Sequence, residues 1–167
     1  MQSPNLLRAA LAPTGRFGRA TPETQNAATQ LAQDVDKNNQ FVALLNAFRR
    51  SGGLARAQEV AGRFQLYGGR EVCPLEGWIT KREVICIEWQ GRRWLPLFQF
   101  NPVGLSLRAG LPAVLAELVG VYDDWQLASW FAQPNPWLGD CAAADILAVS
   151  APQVLEAARA VRFEDVG

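Results

Sequence analysis

The hydrophobic period changes twice along this chain, and no other feature constrains its fold as strongly. Apolar residues recur at helical spacing up to Phe64, alternate over 83–100, and return to helical spacing for the rest of the chain. "EVICIEWQ" (83–90) and "RWLPLFQF" (93–100) are rich in β-branched and aromatic residues, and "QGR" between them supplies a tight turn. Val84, Cys86 and Glu88 alternate with Ile85, Ile87 and Trp89, which predicts a hairpin with one face covered. Pro96 has no N–H to give to a ladder, so the second strand is expected at an edge.

Helices are expected on both sides of that hairpin. Thr21 with Pro22 just inside starts one, because proline's fixed φ suits the first turn. Phe41, Leu44, Leu45 and Phe48 form a buried stripe, and "SGG" (51–53) ends the helix, since glycine adopts the left-handed cap conformation. "LARAQEVAGRF" restarts a helix with Leu54, Ala57, Val60, Ala61 and Phe64 on one side. Downstream, Leu107, Leu111, Val114, Leu115 and Leu118 form a stripe that ends near Gly120. Asp123 is expected to cap "DDWQLASWF", with Gln126 completing a capping box, and Asp140 to cap "CAAADILAV". Pro152 opens a last amphipathic helix carrying Val154, Leu155, Ala158 and Val161.

The stretch "WFAQPNPWLGD" (130–140) reads as a helix stop and a corner. Pro134 and Pro136 disfavour helical conformation at Gln133 and Asn135, and Asn135 can close an Asx turn. Trp130, Trp137 and Leu138 are then either core of the corner or a surface for a ligand or partner. Trp137, on the corner itself, is the better candidate for an outward contact.

The fold class expected is mainly α with one small β-hairpin: a degenerate winged helix-turn-helix followed by a small α-helical domain. Residues 1–22 lack apolar periodicity and read as a disordered tail. Residues 23–100 form the helix-turn-helix-like region with its wing, and 101–167 the helical domain. No apolar run approaches the ~20 residues of a membrane span, and the apolar patch near the N-terminus has no basic segment before it, unlike a signal peptide. Three cysteines without C-x-x-C spacing suggest buried thiols in a reducing, cytoplasmic setting. The chain contains no histidine, which removes the commonest general base, the Ser-His and Cys-His pairs, and most zinc sites. With no phosphate loop or nucleophile motif either, the expectation is a binding protein, not an enzyme, with no metal and no cofactor.

A net charge of zero hides a polarity: residues 49–93 carry nine Lys/Arg against five acids, and 101–167 three Arg against eight acids. That is either a bifunctional binding protein or two solvated faces of one domain. On the first reading, helix, turn, helix, "CPLEGWIT" and hairpin follow the order of a helix-turn-helix with a wing, and Arg70, Lys81, Arg82, Arg92 and Arg93 would contact phosphates. The recognition segment "EVCPLEGWI" argues against base reading, because it offers no Arg, Asn or Gln and carries two glutamates.

From "FQF" through "GLPAVLAELVG" and "DDWQLASWFAQPNPWLGDCAAADILAVSAPQVLEAARAV", the chain resembles the C-terminal toxin-binding domain of bacterial MbcA/ParS/Xre-type antitoxins. Trp130, Phe131, Pro134, Asn135, Leu138, Ile146, Leu147 and Val154 match that family's pattern, and "WLPLFQFN" resembles the strand before it. The resemblance covers roughly 50–165 and is strongest over 94–160. It departs where the pattern's glycine falls on Asp140, its helix-opening proline on Ala143, the glycine before the last helix on Ser150, and a usually small residue on Trp137. The resemblance implies a homodimeric antitoxin whose C-terminal domain neutralises a cognate toxin encoded nearby, often a RES-type enzyme that consumes NAD, and whose N-terminal domain represses the operon by binding operator DNA. The implied toxin-binding residues are Trp130, Pro134, Asn135, Trp137 and Leu138. The acids Glu156, Glu164 and Asp165 suit a basic nucleotide cleft, or are simply a solvated terminus. A DNA-binding transcriptional regulator without a toxin partner is the alternative.

Overall fold

A computed structural model of the chain describes residues 21–68 and 73–166. The described chain divides into two units, with the boundary between Val35 and Asp36. Helix α1 (Pro22–Ala47) starts in the first unit at Thr21, whose carbonyl accepts the Gln25 N–H at 3.0 Å. The expected tail therefore lies outside the described residues up to position 20.

Within the second unit, α1 buries Phe41 and Leu44, and the 3-10 turn Phe48–Ser51 continues it with Phe48 at 1% exposure. Leu45, placed in the same stripe by its spacing, points outward instead. Gly52 then takes φ 109° and ends the helix, as "SGG" predicted; its Cβ would sit 3.1 Å from the Cβ of Leu97. The expected helical restart at Leu54 is a strand first: β1 (Leu54–Arg56) precedes α2 (Ala57–Gly68). Three residues are too few to show a period, and their pairing partner is distant in sequence.

Helix α3 (Leu75–Thr80) leads into β2 (Ile87–Trp89) and β3 (Arg92–Pro96), joined by Gln90 and Gly91 at φ 49° and 66°. Two positive φ values in a two-residue loop suit the right-handed twist of a hairpin. The sheet is antiparallel with order β1-β3-β2, so the strand carrying Pro96 is central, contrary to the edge position its chemistry suggested. The register resolves this. Leu54 faces Pro96, and the adjacent bond runs from the Leu97 N–H to the Gly53 carbonyl at 2.9 Å. Pro96 thus directs its nitrogen away from β1, towards a side where β2 no longer extends, and no ladder bond is lost.

The sheet is also covered on both faces, not one. Ile87 and Trp94 join the larger core with Phe41, Phe48 and Phe98, whereas Ala55 and Leu95 join a second core with Val60, Leu75, Val84 and Phe100. Alternation along β3 sends Trp94 and Leu95 to opposite sides. The Phe41 ring stacks on Trp89 with centroids 3.9 Å apart, and Trp89 Nε1 donates to Asn38 Oδ1 at 2.8 Å.

The remaining helices are α4 (Leu111–Leu118), α5 (Asp124–Ala132), α6 (Ala143–Ile146) and α7 (Ala151–Val166), with a minimal ladder of β4 (Pro134–Asn135) and β5 (Cys141–Ala142) between α5 and α6. Helices α4 and α7 pack together, and the larger core draws on residues before and after position 100, from Phe41 to Ala158. The described chain is mainly helical with one small three-stranded antiparallel sheet. Among the described residues, no helix is long and apolar enough to cross a membrane.

Candidate functional site

The corner at 130–140 is built by local backbone chemistry. The Asp123 carboxylate accepts the Gln126 N–H at 2.8 Å and the Gln126 side chain accepts the Asp123 N–H at 2.9 Å, so α5 starts with the expected capping box. It stops at Gln133, whose extended conformation (ψ 151°) is the one proline imposes on its predecessor. Asn135 is 8% exposed; its Oδ1 accepts the Trp137 N–H at 2.9 Å and its carbonyl accepts the Asp140 N–H at 3.0 Å. Those bonds, the β4–β5 pair and two prolines fix the turn from both ends.

Trp137 stands on this fixed turn at 68% exposure, while the next residue, Leu138, is buried. Trp130 is half-buried, edge-on to Phe131 with centroids 4.9 Å apart. Pro134 is exposed. Of the sequence-predicted toxin-binding residues here, Trp137 and Pro134 face outward, and Asn135 and Leu138 build the turn. Asp140 does not cap α6: it adopts φ 60° next to Gly139 at φ 63°, and Ala142 precedes the helix without a side-chain cap. Aspartate tolerates the left-handed region better than most residues, and here that tolerance closes the corner. Glu156 pairs with Arg159 at 2.8 Å. Glu164 and Asp165 fall in the last turn of α7, and their side chains lie outside the described ones.

The basic middle divides into engaged and free cations. Arg82 donates to the carbonyls of Val119 (2.7 Å) and Tyr122 (2.9 Å) and pairs with Asp124 at 3.2 Å. It therefore binds the end of α4, where carbonyl partial charge favours a cation. Arg93 makes a two-pronged pair with Glu76 on α3, at 2.7 and 2.8 Å. The hydrogen bonds from Arg93 hold the Glu76 carboxyl below its ordinary range. Lys81 and Arg92 are exposed and form no ion pair among the described residues, and Arg70 lies outside the described residues.

Sequence reasoning missed Arg56. It lines a groove of about 370 Å³ with Gln58, Gly91, Arg92 and Arg93, and its guanidinium lies 5.3 Å from the Trp94 ring centroid. Only the β1–β3 pairing brings it beside the hairpin tip, so no local signal marks it. A second cavity, of about 500 Å³, collects Arg50, Arg63 and Arg108 from three separate segments and was equally invisible in sequence. Among the described residues, no group of three or more His, Cys, Asp or Glu could hold a metal ion. The three thiols are free; Cys73 and Cys86 are half-buried, but Cys141 is exposed, against the expectation of burial. Burial pushes the Cys86 pKa up to about 11.

No family model matches this chain, no curated protein matches it, and no solved structure matches it.

Proposed function

We propose that this chain is an antitoxin-like binding protein, which neutralises a cognate toxin through the corner between α5 and α6. The observation that carries this reading is Trp137: a large aromatic side chain held outward by a turn whose own polar groups are internally satisfied. Such a residue contributes contact area without an ordering cost, the property of interface anchors. Covering it would remove roughly 100–150 Å² of apolar surface, about 3 kcal/mol at ~25 cal/mol per Å². The antitoxin resemblance over 94–160 supports the same segment, though its pattern has a small residue where Trp137 stands, and a RES-type, NAD-consuming toxin is the partner it implies. Homodimerisation and repression of its own operon belong to the same proposal.

The test is co-expression with the product of the adjacent reading frame. That product should arrest growth alone, and the pair should co-purify. Trp137→Ala should weaken the complex about 30-fold, the equivalent of ~2 kcal/mol. A harmless neighbour, or one that never co-purifies, defeats the reading.

A second reading, DNA binding, is supported by one arrangement: α1, β1, α2, α3, β2 and β3 come in the order a helix-turn-helix with a wing would need, with sheet order β1-β3-β2. The groove with Arg56 and Arg92 lies beside the hairpin that would act as wing. Against base reading, α3 exposes Glu76 and spends Arg93 on it. Binding would thus depend on phosphate charge, and its test is a salt-dependent shift of the protein's own promoter DNA. No shift at low salt would assign these arginines to a solvated face.

A further inference from the structure

The lining of the cavity of about 500 Å³ includes no residue of the corner at 130–140 or of the hairpin tip, and neither reading above uses it. Its size is within the range of small-molecule sites, ~300–1,000 Å³. Leu97, Pro102 and Ala148 supply the apolar surface that solvent reaches in its lining, whereas Phe98, Phe100 and Leu105, which also line it, are buried. Three arginines line it, Arg50 in the 3-10 turn, Arg63 on α2 and Arg108 before α4. The one acid in the lining, Asp145, forms no ion pair with any of them, and none of the three arginines has another carboxylate partner among the described residues.

Arg108 is also preorganised. Its Nε donates to the Phe98 carbonyl at 2.8 Å and Nη2 to the Phe100 carbonyl at 3.4 Å, which fixes the guanidinium against the backbone of that segment. The rim beside it carries strain: Leu105 is buried at φ 53°, a left-handed conformation that disfavours a non-glycine residue. Asn101 holds that loop through the Ser106 hydroxyl (2.8 Å) and the Leu107 carbonyl (3.3 Å). A row of phosphates would need cations spread along a surface. Three arginines lining one partly apolar hollow fit a single anionic head on an apolar body.

We propose that this cavity binds a small amphipathic anion, a carboxylate or phosphomonoester carrying an aromatic or medium-chain apolar group, with Arg108 as the fixed anchor and Arg50 and Arg63 as the flanking cations. Carboxylate and phosphate heads share this chemistry, and competition separates them.

The probe is 8-anilinonaphthalene-1-sulfonate, an aromatic anion whose emission rises in apolar surroundings, titrated into the full chain at low salt. One saturable site is expected, displaced by octanoate, by phenyl phosphate or by both, and not by octanol or inorganic phosphate. The compound that displaces identifies the head group. Arg63→Glu, on an exposed residue with no internal bond, should weaken the probe at least tenfold with unchanged far-ultraviolet circular dichroism, and Arg108→Gln should do likewise. Lys37→Glu, on an exposed residue outside the cavity lining, should leave the affinity unchanged. Equal weakening by Lys37→Glu, no effect of Arg63→Glu, or displacement by octanol as readily as by octanoate each overturns the proposal.

Discussion

The side-chain amide of Gln99 and the backbone of Ile85 exchange two hydrogen bonds, the Ile85 N–H donating to Oε1 and Nε2 donating to the Ile85 carbonyl at 3.0 Å. Nε2 also donates to the Pro96 carbonyl at 3.0 Å, so a side chain continues the ladder where β2 has not begun. Gln99 is wholly buried, and all its bonds are made inside the protein. Replacing it with Leu strands the Ile85 N–H and two carbonyls, each worth ~1–3 kcal/mol when left buried and unpaired. Gln99→Leu should therefore lower stability by about 3 kcal/mol or more in urea unfolding. A loss below 1 kcal/mol would show that water replaces the amide.

Gly110 has φ 82°, and a Cβ there would overlap the Cβ of Ala151 at the start of α7. Gly110→Ala combines backbone strain with a collision at the α4–α7 contact, so a destabilisation of about 2 kcal/mol or more is expected. Adding Ala151→Gly removes the collision and leaves the strain. Partial recovery of the melting temperature in the double variant is the diagnostic result.

Arg82 and Arg92 were both candidate phosphate contacts, but only Arg82 holds the fold together. Arg82→Lys cannot reproduce the planar fork to Val119, Tyr122 and Asp124, and a stability loss of about 1–3 kcal/mol is expected. Arg92→Ala should change stability by less than about 0.5 kcal/mol. Parallel thermal melts of the two variants separate these roles.

Glu117 on α4 accepts from Arg162 (2.8 Å) and Arg159 (3.4 Å) on α7, and those hydrogen bonds hold its carboxyl below the ordinary carboxylate range. A carboxyl with a folded pKa below its unfolded one stabilises above the unfolded value and loses that contribution as pH falls through the folded one. Glu117→Gln should accordingly melt below the parent at pH 7, and the gap should close below pH 4. A gap that persists at pH 3 would trace to packing instead of charge.

Thiol chemistry should rank the cysteines by exposure. Iodoacetamide followed by mass spectrometry should modify Cys141 first and Cys86 last, because the Cys86 thiol keeps its proton to about 11. An exposed thiol ionises near 9.0, so the unfolded chain releases this proton first, and stability should decline as pH rises between those values.

The features legible in the sequence were those written within one turn of chain. Asp123 and Gln126 lie three apart and cap α5 as their spacing says, Gly52 ends its helix, and Pro134, Asn135 and Pro136 make the corner. What stayed hidden depends on distant partners. β1 is a strand because β3 is beside it; Arg82 is structural because two carbonyls some forty residues away await it. Asp140 looked like a cap because its residue type serves two purposes, capping and left-handed turns, and the structure uses the second. Of the candidate site, the outward position of Trp137 was readable from its place on the corner. The gathering of Arg50, Arg63 and Arg108 was not, since no spacing rule links them.

The pairing of Leu54 with Pro96 also bears on how fast this protein reaches its native state. A mostly helical chain of local contacts folds in microseconds to milliseconds, but β1 must wait until a loop of roughly forty residues has closed before it meets β3. The helices α2 and α3 and the β2–β3 hairpin lie inside that loop and can form early, with β1 added last along the free edge of β3. Refolding should therefore show helical signal ahead of sheet docking, at a rate typical of mixed α/β domains despite the helical composition.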